Sequence, residues 1–307
     1  MDNLNFKSGF VALVGRTNVG KSTLINSVIG SKIVITSEKA QTTRNRINCI
    51  YNDDDSQIIF VDIPGFLKPR SLLTEKLNKL IIKTINDSDL ILVMVDIASG
   101  IGSGDIFIFN KIKDINKPII LVINKIDIAS QKKIKEELDK INNFNIENNN
   151  IFKEIILISA LKNKNLDNLI SLIKKYLPEG PAFYPDDILS DRPIRNIAED
   201  IIREKLVLHL DDELPHTIAV EINNFEEGFT QDNQKIIKIS AIIYAQKKRH
   251  KSIIIGKNGS LLKDVGMKAR EELEAFLGCK VYLELWVKVK EDWTENLEAL
   301  KEFGYDY

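Results

Sequence analysis

The chain has 307 residues, 44% of them hydrophobic and 28% charged, with 43 basic side chains against 44 acidic ones. This length supports two ordinary domains with separate cores, and the composition is that of a soluble globular protein. A formal net charge of −1 excludes a uniformly basic surface, so any nucleic-acid contact has to be local and offset by acid elsewhere.

Cys49 and Cys279 are the only cysteines and lie far apart, which excludes a disulfide framework and a zinc cluster and points to a reducing cytosol. His209, His216 and His250 share no metal-ligand spacing. The opening MDNLNFKSGF lacks the apolar core of a signal peptide, and no stretch of membrane-spanning length is free of charge. A cytoplasmic protein is the expectation.

In chain order, GFVALVG reads as a buried strand and KSTLINSVIG as the helix after it. SQIIFVDIPG (56–65) is a second strand and LTEKLNKLIIKTIND a second helix. DLILVMVDIA, KPIILVINKID and EIILISA are three more apolar strands with helical segments between or after them. Continuous apolar strands linked by helices predict a mostly parallel sheet covered on both faces, with ligands at the carboxyl ends of its strands. The asparagine-rich NNFNIENNN (142–150) reads as a solvated loop. YLPEGPAFYPDDILSDRP (176–193) gathers four of the eight prolines and reads as a linker. Beyond it the expected order is helix, two alternating strands, helix, a GKNG loop, helix and a third strand, with a short closing helix in TENLEALKEFG. The expected boundaries are 1–177 for the first domain, 178–195 for the linker, 196–291 for an α+β domain and 292–307 for a helical tail.

GRTNVGKST (15–23) has the form G-x-x-x-x-G-K-S between a strand and a helix. Backbone amides from Gly15 through Asn18, Val19, Gly20 and on to Thr23 can converge on phosphate oxygens at the helix N-terminus. Lys21 then reaches the β- and γ-phosphates, and the Ser22 hydroxyl coordinates Mg2+. DIPG (62–65) ends the next strand: Asp62 would hold the magnesium and the Gly65 amide the γ-phosphate. In NKID (124–127), the Asp127 carboxylate can accept two N–H bonds from guanine that adenine does not offer, selecting GTP. Asn124 would orient that loop, with the Lys125 stem along the base. SAL (Ser159, Ala160, Leu161) would offer backbone amides, chiefly that of Ala160, to guanine O6.

These motifs in this order resemble the translation-factor-like class of P-loop GTPases, over roughly residues 8–177. In that class the segment corresponding to SEKAQTTRNRI (37–47) is the first switch. By that resemblance Thr43 senses magnesium and the γ-phosphate, with its neighbour Thr42 still open and a plain exposed loop equally compatible with the composition. Many such GTPases place a water-orienting glutamine after D-x-x-G; here the residue is Phe66, and slow intrinsic hydrolysis is expected. In relatives with a hydrophobic residue there, an asparagine in the phosphate loop helps bind K+. Asn18 matches that position, and shaping the turn is its alternative role.

The second glycine loop, IIIGKNGS, lacks G-K-S/T and lies between two helical segments. Alone, G-x-x-G suits a plain turn. Here it is surrounded by Lys247, Lys248, Arg249, Lys251, Lys257, Lys263, Lys268 and Arg270, with Asp264 the lone acid before Glu271. Basic surroundings and element order match a type II KH domain. In such a domain Gly256, Lys257, Asn258 and Gly259 clamp a single-stranded RNA backbone, and Ile253, Ile254 and Ile255 belong to the core or the groove floor.

Together, an α/β P-loop GTPase domain followed by an α+β type II KH domain resembles the bacterial Era family of GTPases over nearly the entire chain. KAQTTR, DIPGF, IIREKL, ELPHTIAVEI, IIIGKNG and LWVKVKEDW carry the resemblance. It implies GTP hydrolysis, binding to the 3′ end of 16S ribosomal RNA, and a role in 30S subunit assembly. It also implies a monomer in the cytoplasm with peripheral contact to the inner membrane. Two other readings compete: a GTPase acting with transfer RNA or membranes, and an RNA chaperone that needs bound GTP without hydrolysis.

Overall fold

The structure is a computed structural model and describes residues 6–34, 46–66, 71–210 and 214–305. It divides into two compact units, the first built from most of the residues up to Asp191 and the second from those after it, with residues 71–76 grouped with the second.

The first unit runs β1 (Lys7–Gly15), α1 (Lys21–Ile29), β2 (Ile47–Asp53), β3 (Ser56–Asp62), α2 (Leu72–Asp87), β4 (Leu90–Asp96), α3 (Ser103–Ile112), β5 (Ile119–Asn124), α4 (Gln131–Glu147), β6 (Glu154–Leu157) and α5 (Leu166–Tyr176). Its sheet has the order β2-β3-β1-β4-β5-β6, parallel except for β2 against β3. β3, β4 and β5 are buried along their whole length because both faces are covered. On one face Leu24 and Ile25 of α1 and Leu169 and Ile173 of α5 pack on Leu13, Phe60, Leu92 and Val122. On the other, Ile81, Phe109 and Ile134 from α2, α3 and α4 pack on Val14, Val61, Val93 and Ile123. Side chains alternating along each strand feed the two cores in turn.

Two segments differ from the sequence reading. β2, around Cys49, is a sixth strand beyond the five taken in chain order; it is a sheet-edge strand with half-buried polar positions. The loop expected over 142–150 is helical as far as Glu147, since Phe144 packs against Phe109 and Phe152, with ring centroids 5.2 and 6.5 Å away. Asn145 supports that end, its Oδ1 accepting from Phe152 N at 2.9 Å.

The proline-rich segment lies along the sheet edge of the first unit. Ile50 N donates to Leu189 O at 2.9 Å, and the buried Gln57 accepts from Phe183 N and Tyr184 N at 2.6 and 2.9 Å.

The second unit runs α6 (Ile194–His209), β7 (Ile218–Phe229), β8 (Lys235–Ala245), α7 (Lys248–Ile255), α8 (Ser260–Leu277), β9 (Lys280–Val289) and α9 (Leu297–Glu302). Its sheet has the order β7-β8-β9, with β7 antiparallel and β9 parallel to β8. The core joins Ile201 and Leu206 of α6, Ile254 of α7, and Val265, Ala269 and Leu273 of α8 to Ile239, Ile243 and Val281 of the strands. Trp293, fully buried, ties the C-terminal residues to this unit through its indole N–H to Thr217 O at 2.9 Å. Asp200 is buried between Arg192 and Arg203, whose guanidinium groups hold its carboxyl below the usual range against the opposing effect of burial.

Candidate functional site

The first glycine loop joins β1 to α1 at the carboxyl end of the sheet. Two of its glycines are there for space. An ideal Cβ on Gly15 would lie 2.5 Å from Met94 O, and one on Gly20, whose φ is 102°, would lie 2.4 Å from Asn124 Nδ2. Lys21 is 8% exposed and its ammonium donates to Arg16 O at 3.0 Å and Gly15 O at 3.2 Å. Burial pushes its pKa down to about 8, with the Asp62 charge pulling the other way.

Ser22 Oγ donates to Asp62 Oδ2 at 3.2 Å, so the two residues expected to share a magnesium ion face one another. A hydroxyl and a fully buried carboxylate are hard oxygen donors, the donor type Mg2+ prefers. Thr43, with Thr42, lies outside the described residues. Gly65 lies against the phosphate loop: a Cβ there would be 3.0 Å from Thr17 N and 3.2 Å from Gly15 O. Phe66 is half-buried with its ring edge-on to Phe107 at 6.2 Å, an apolar contact in place of a polar side chain that could hold water. Asn18 is exposed at φ 64°, Val19 is buried, and Thr23 is half-buried in α1.

Asn124 joins the phosphate loop to the expected guanine loops, donating to Val19 O and accepting from Ala160 N, both at 2.9 Å. The amide of Ala160, the one expected to face guanine O6, is thereby held against Asn124. Asp127 is exposed, with Oδ1 accepting from Ser159 Oγ at 2.6 Å. Lys125, at φ 66°, pairs through Nζ with Asp96 Oδ2 at 2.8 Å. Leu161 is exposed beside these residues in sequence. Asp96 was missed in the sequence, although it ends β4 just as Asp62 ends β3.

The second glycine loop separates α7 from α8. Gly256 has φ 75° and ψ 176°, a conformation glycine alone adopts readily, and a Cβ on it would lie 2.8 Å from Leu261 Cβ. Gly259 has φ 76° and open space around it. Lys257 and Asn258 are exposed at the tip, as are Lys247, Lys248, Arg249 and Lys263, while Lys251 is half-buried. Burial, together with Arg249 and Lys247, holds His250 below its usual pKa. The three isoleucines separate: Ile254 is buried, Ile255 half-buried, and Ile253 is 47% exposed, outside the core. Beside the loop, α8 and β9 enclose a groove of about 390 Å³, walled by Leu262, Gly266, Leu283 and Leu285 with Lys263 and Arg270 at its margin. The leucines of β9 were not identified from the sequence, since only folding brings them beside α8.

Residues 10–125 match the family described as 50S ribosome-binding GTPase, and residues 213–294 match the KH domain family. GTPase Era of Alkaliphilus oremlandii is 48% identical over 303 residues, covering 99% of this chain and all of that protein. GTPase Era of Clostridioides difficile is 47% identical, covering 98% of this chain and 99% of the relative. Among solved structures, Era in complex with MgGDPNP and nucleotides 1506–1542 of 16S ribosomal RNA superposes with a TM-score of 0.92 at 42% identity, covering 98% of this chain and 100% of that one. A variant of Aquifex aeolicus Era bound to GDP and AlF4− gives 0.91 at 42% identity with the same coverage. With both domain types matched in order and relatives near half-identical from end to end, the chain belongs to the Era family of GTPases.

Proposed function

We propose that the first unit binds and hydrolyses GTP while the second holds single-stranded RNA at the 3′ end of 16S ribosomal RNA, in 30S subunit assembly and rRNA maturation. The observation that carries this reading is one chain with a lysine-bearing phosphate loop facing Asp62 and a second, basic glycine loop beside a leucine-walled groove. The Era structure with MgGDPNP and a 16S rRNA fragment supports joining the two.

In this reading amides of residues 15–23 hold the phosphates, and Lys21 neutralises the β- and γ-phosphoryl oxygens. Ser22 and Asp62 hold Mg2+, with Thr43 the third residue of that set; the ion supplies charge stabilisation at the bridging phosphates. Gly65 donates its amide to the γ-phosphate. Asp127 reads guanine with its oxygens, kept in position by Ser159, and Asn124 fixes the loops around the base. Phe66 cannot orient water, so intrinsic turnover is slow, and Asn18 would help hold a K+ ion that would supply the missing charge. Equal hydrolysis rates in potassium and sodium salts would remove that ion from the account.

Gly256 and Gly259 let a sugar–phosphate backbone approach the loop amides, while Lys257, Lys263 and their basic neighbours neutralise phosphates. Bases lie on the leucine-lined groove. The domain limits 1–177, 178–195, 196–291 and 292–307 belong to this proposal, as do the monomeric state and peripheral contact with the inner membrane. Nucleotide state controls RNA affinity. Titrating the protein, loaded with a GTP analogue, with a 16S 3′-end strand and with transfer RNA tests the assignment. Preference for the ribosomal strand is expected, and equal affinity would contradict it.

A further inference from the structure

We propose that Asp105 is a positioning residue for Lys21, acting through Arg16; this rests on reading residues 15–23 as the phosphate loop. Arg16 is the second residue of that loop, yet its side chain leads away from the ammonium of Lys21. Its Nε donates to Asp105 Oδ1 at 2.8 Å, and Nη2 donates to Ser99 Oγ and Gly100 O, both at 3.3 Å. Gly104 leaves room for the arginine stem, since a Cβ there would lie 2.7 Å from Arg16 Cδ. A long flexible side chain is thereby held in one conformation.

The anchor is itself fixed. Asp105 is 1% exposed, and its other oxygen accepts from Gly102 N at 2.9 Å across the first turn of α3. Glu137, equally buried, accepts from Ile101 N at 2.8 Å. One carboxylate thus bonds the start of α3 and the phosphate loop at once. The consequence for catalysis lies in the backbone: the carbonyl of Arg16 is the nearer of the two acceptors that hold Lys21 Nζ. Fixing the side chain of Arg16, 89 residues from Asp105 in sequence, fixes the peptide plane that sets where the ammonium sits. The base side of the site has separate supports on the same stretch, where Asp96 pairs with Lys125 and accepts from Ala98 N at 2.9 Å.

The test compares phosphate-bearing and phosphate-free ligands in the full chain. Affinities for GTP, GDP and guanosine are measured with magnesium for wild type, Asp105→Asn, Arg16→Met, the double variant and Lys21→Ala. An asparagine oxygen can accept from Gly102 N or Arg16 Nε, and its amide nitrogen cannot accept at all. GTP and GDP affinities are expected to fall about tenfold in either single variant, the scale of one charge-assisted hydrogen bond, with guanosine unchanged. The double variant should lose no more than either single one, because both break the same contact. Equal losses for guanosine, additive losses in the double variant, or unchanged GTP affinity in both single variants would overturn the positioning role. Unaltered GTP affinity in Lys21→Ala would instead overturn the phosphate-loop reading beneath it.

Discussion

Lys21→Met should make the nucleotide-free protein more stable while depriving it of GTP. The folded site holds the ammonium of Lys21 at a pKa of about 8, against an ordinary value of 10.5. At about 1.36 kcal/mol per unit, that gap is roughly 3 kcal/mol by which burial disfavours the charged form at neutral pH. Methionine removes the charge with little change of length but leaves Gly15 O and Arg16 O without this donor, returning about 1 kcal/mol. The net gain at pH 7 is about 2 kcal/mol, or a Tm increase of roughly 4–8 °C for a domain of this size. The sign follows from proton counting. Between pH 8 and 10.5 the unfolded chain binds more protons than the folded one, so wild-type stability rises with pH across that window. The advantage of Lys21→Met should therefore shrink above pH 8 and reverse to a deficit of about 1 kcal/mol beyond pH 10.5. Thermal melts of nucleotide-free protein at a series of pH values, following the transition that GTP shifts in wild type, read this directly. A variant less stable than wild type at pH 7, or an advantage independent of pH, would refute the reasoning.

The same titration predicts that wild-type GTP affinity is level below pH 8 and falls about tenfold per unit above it, checked by equilibrium titration in a pH series. Asp127→Asn should weaken GTP binding about a hundredfold, because a charged acceptor of two bonds becomes a neutral acceptor of one, and competition binding with ATP should show the base discrimination largely lost. Gly259→Asn should preserve the fold, given its open surroundings and a left-handed φ that asparagine tolerates, while weakening RNA binding; Gly256→Ala should also lower the melting temperature. Lys263→Ala and Arg270→Ala should each reduce the slope of log affinity against log salt for single-stranded RNA by about 0.7, read from filter binding across a salt series.

Much of the nucleotide site was legible because its residues sit at strand ends in fixed short motifs. Gly15, Asp62 and Asn124 each terminate a strand whose apolar run announces it, so residue order alone brings them to one edge of the sheet. β2 was less legible than the other strands: INCIYND alternates polar and apolar residues weakly, and pairing with β3 at the sheet edge decides its conformation. The end of α4 was missed for a related reason. Asparagine runs have poor helix propensity, but Phe144 and Asn145 gain enough from Phe109 and Phe152 to carry the helix on to Glu147. The groove beside Gly259 joins α8 to β9 residues, and the Arg16–Asp105 contact spans 89 positions; neither leaves a local pattern.

The central claim is that guanine-nucleotide occupancy of one unit sets the grip of the other on an unpaired RNA strand. Coupling of this kind is reciprocal and commonly amounts to about 5- to 150-fold in affinity. The most direct measurement is the Kd of a 16S 3′-end single strand for the protein saturated with a non-hydrolysable GTP analogue and, separately, with GDP. The account predicts at least about fivefold tighter binding in the analogue-bound state, matched by an equal gain in analogue affinity when RNA is present. The same Kd in both nucleotide states would contradict it.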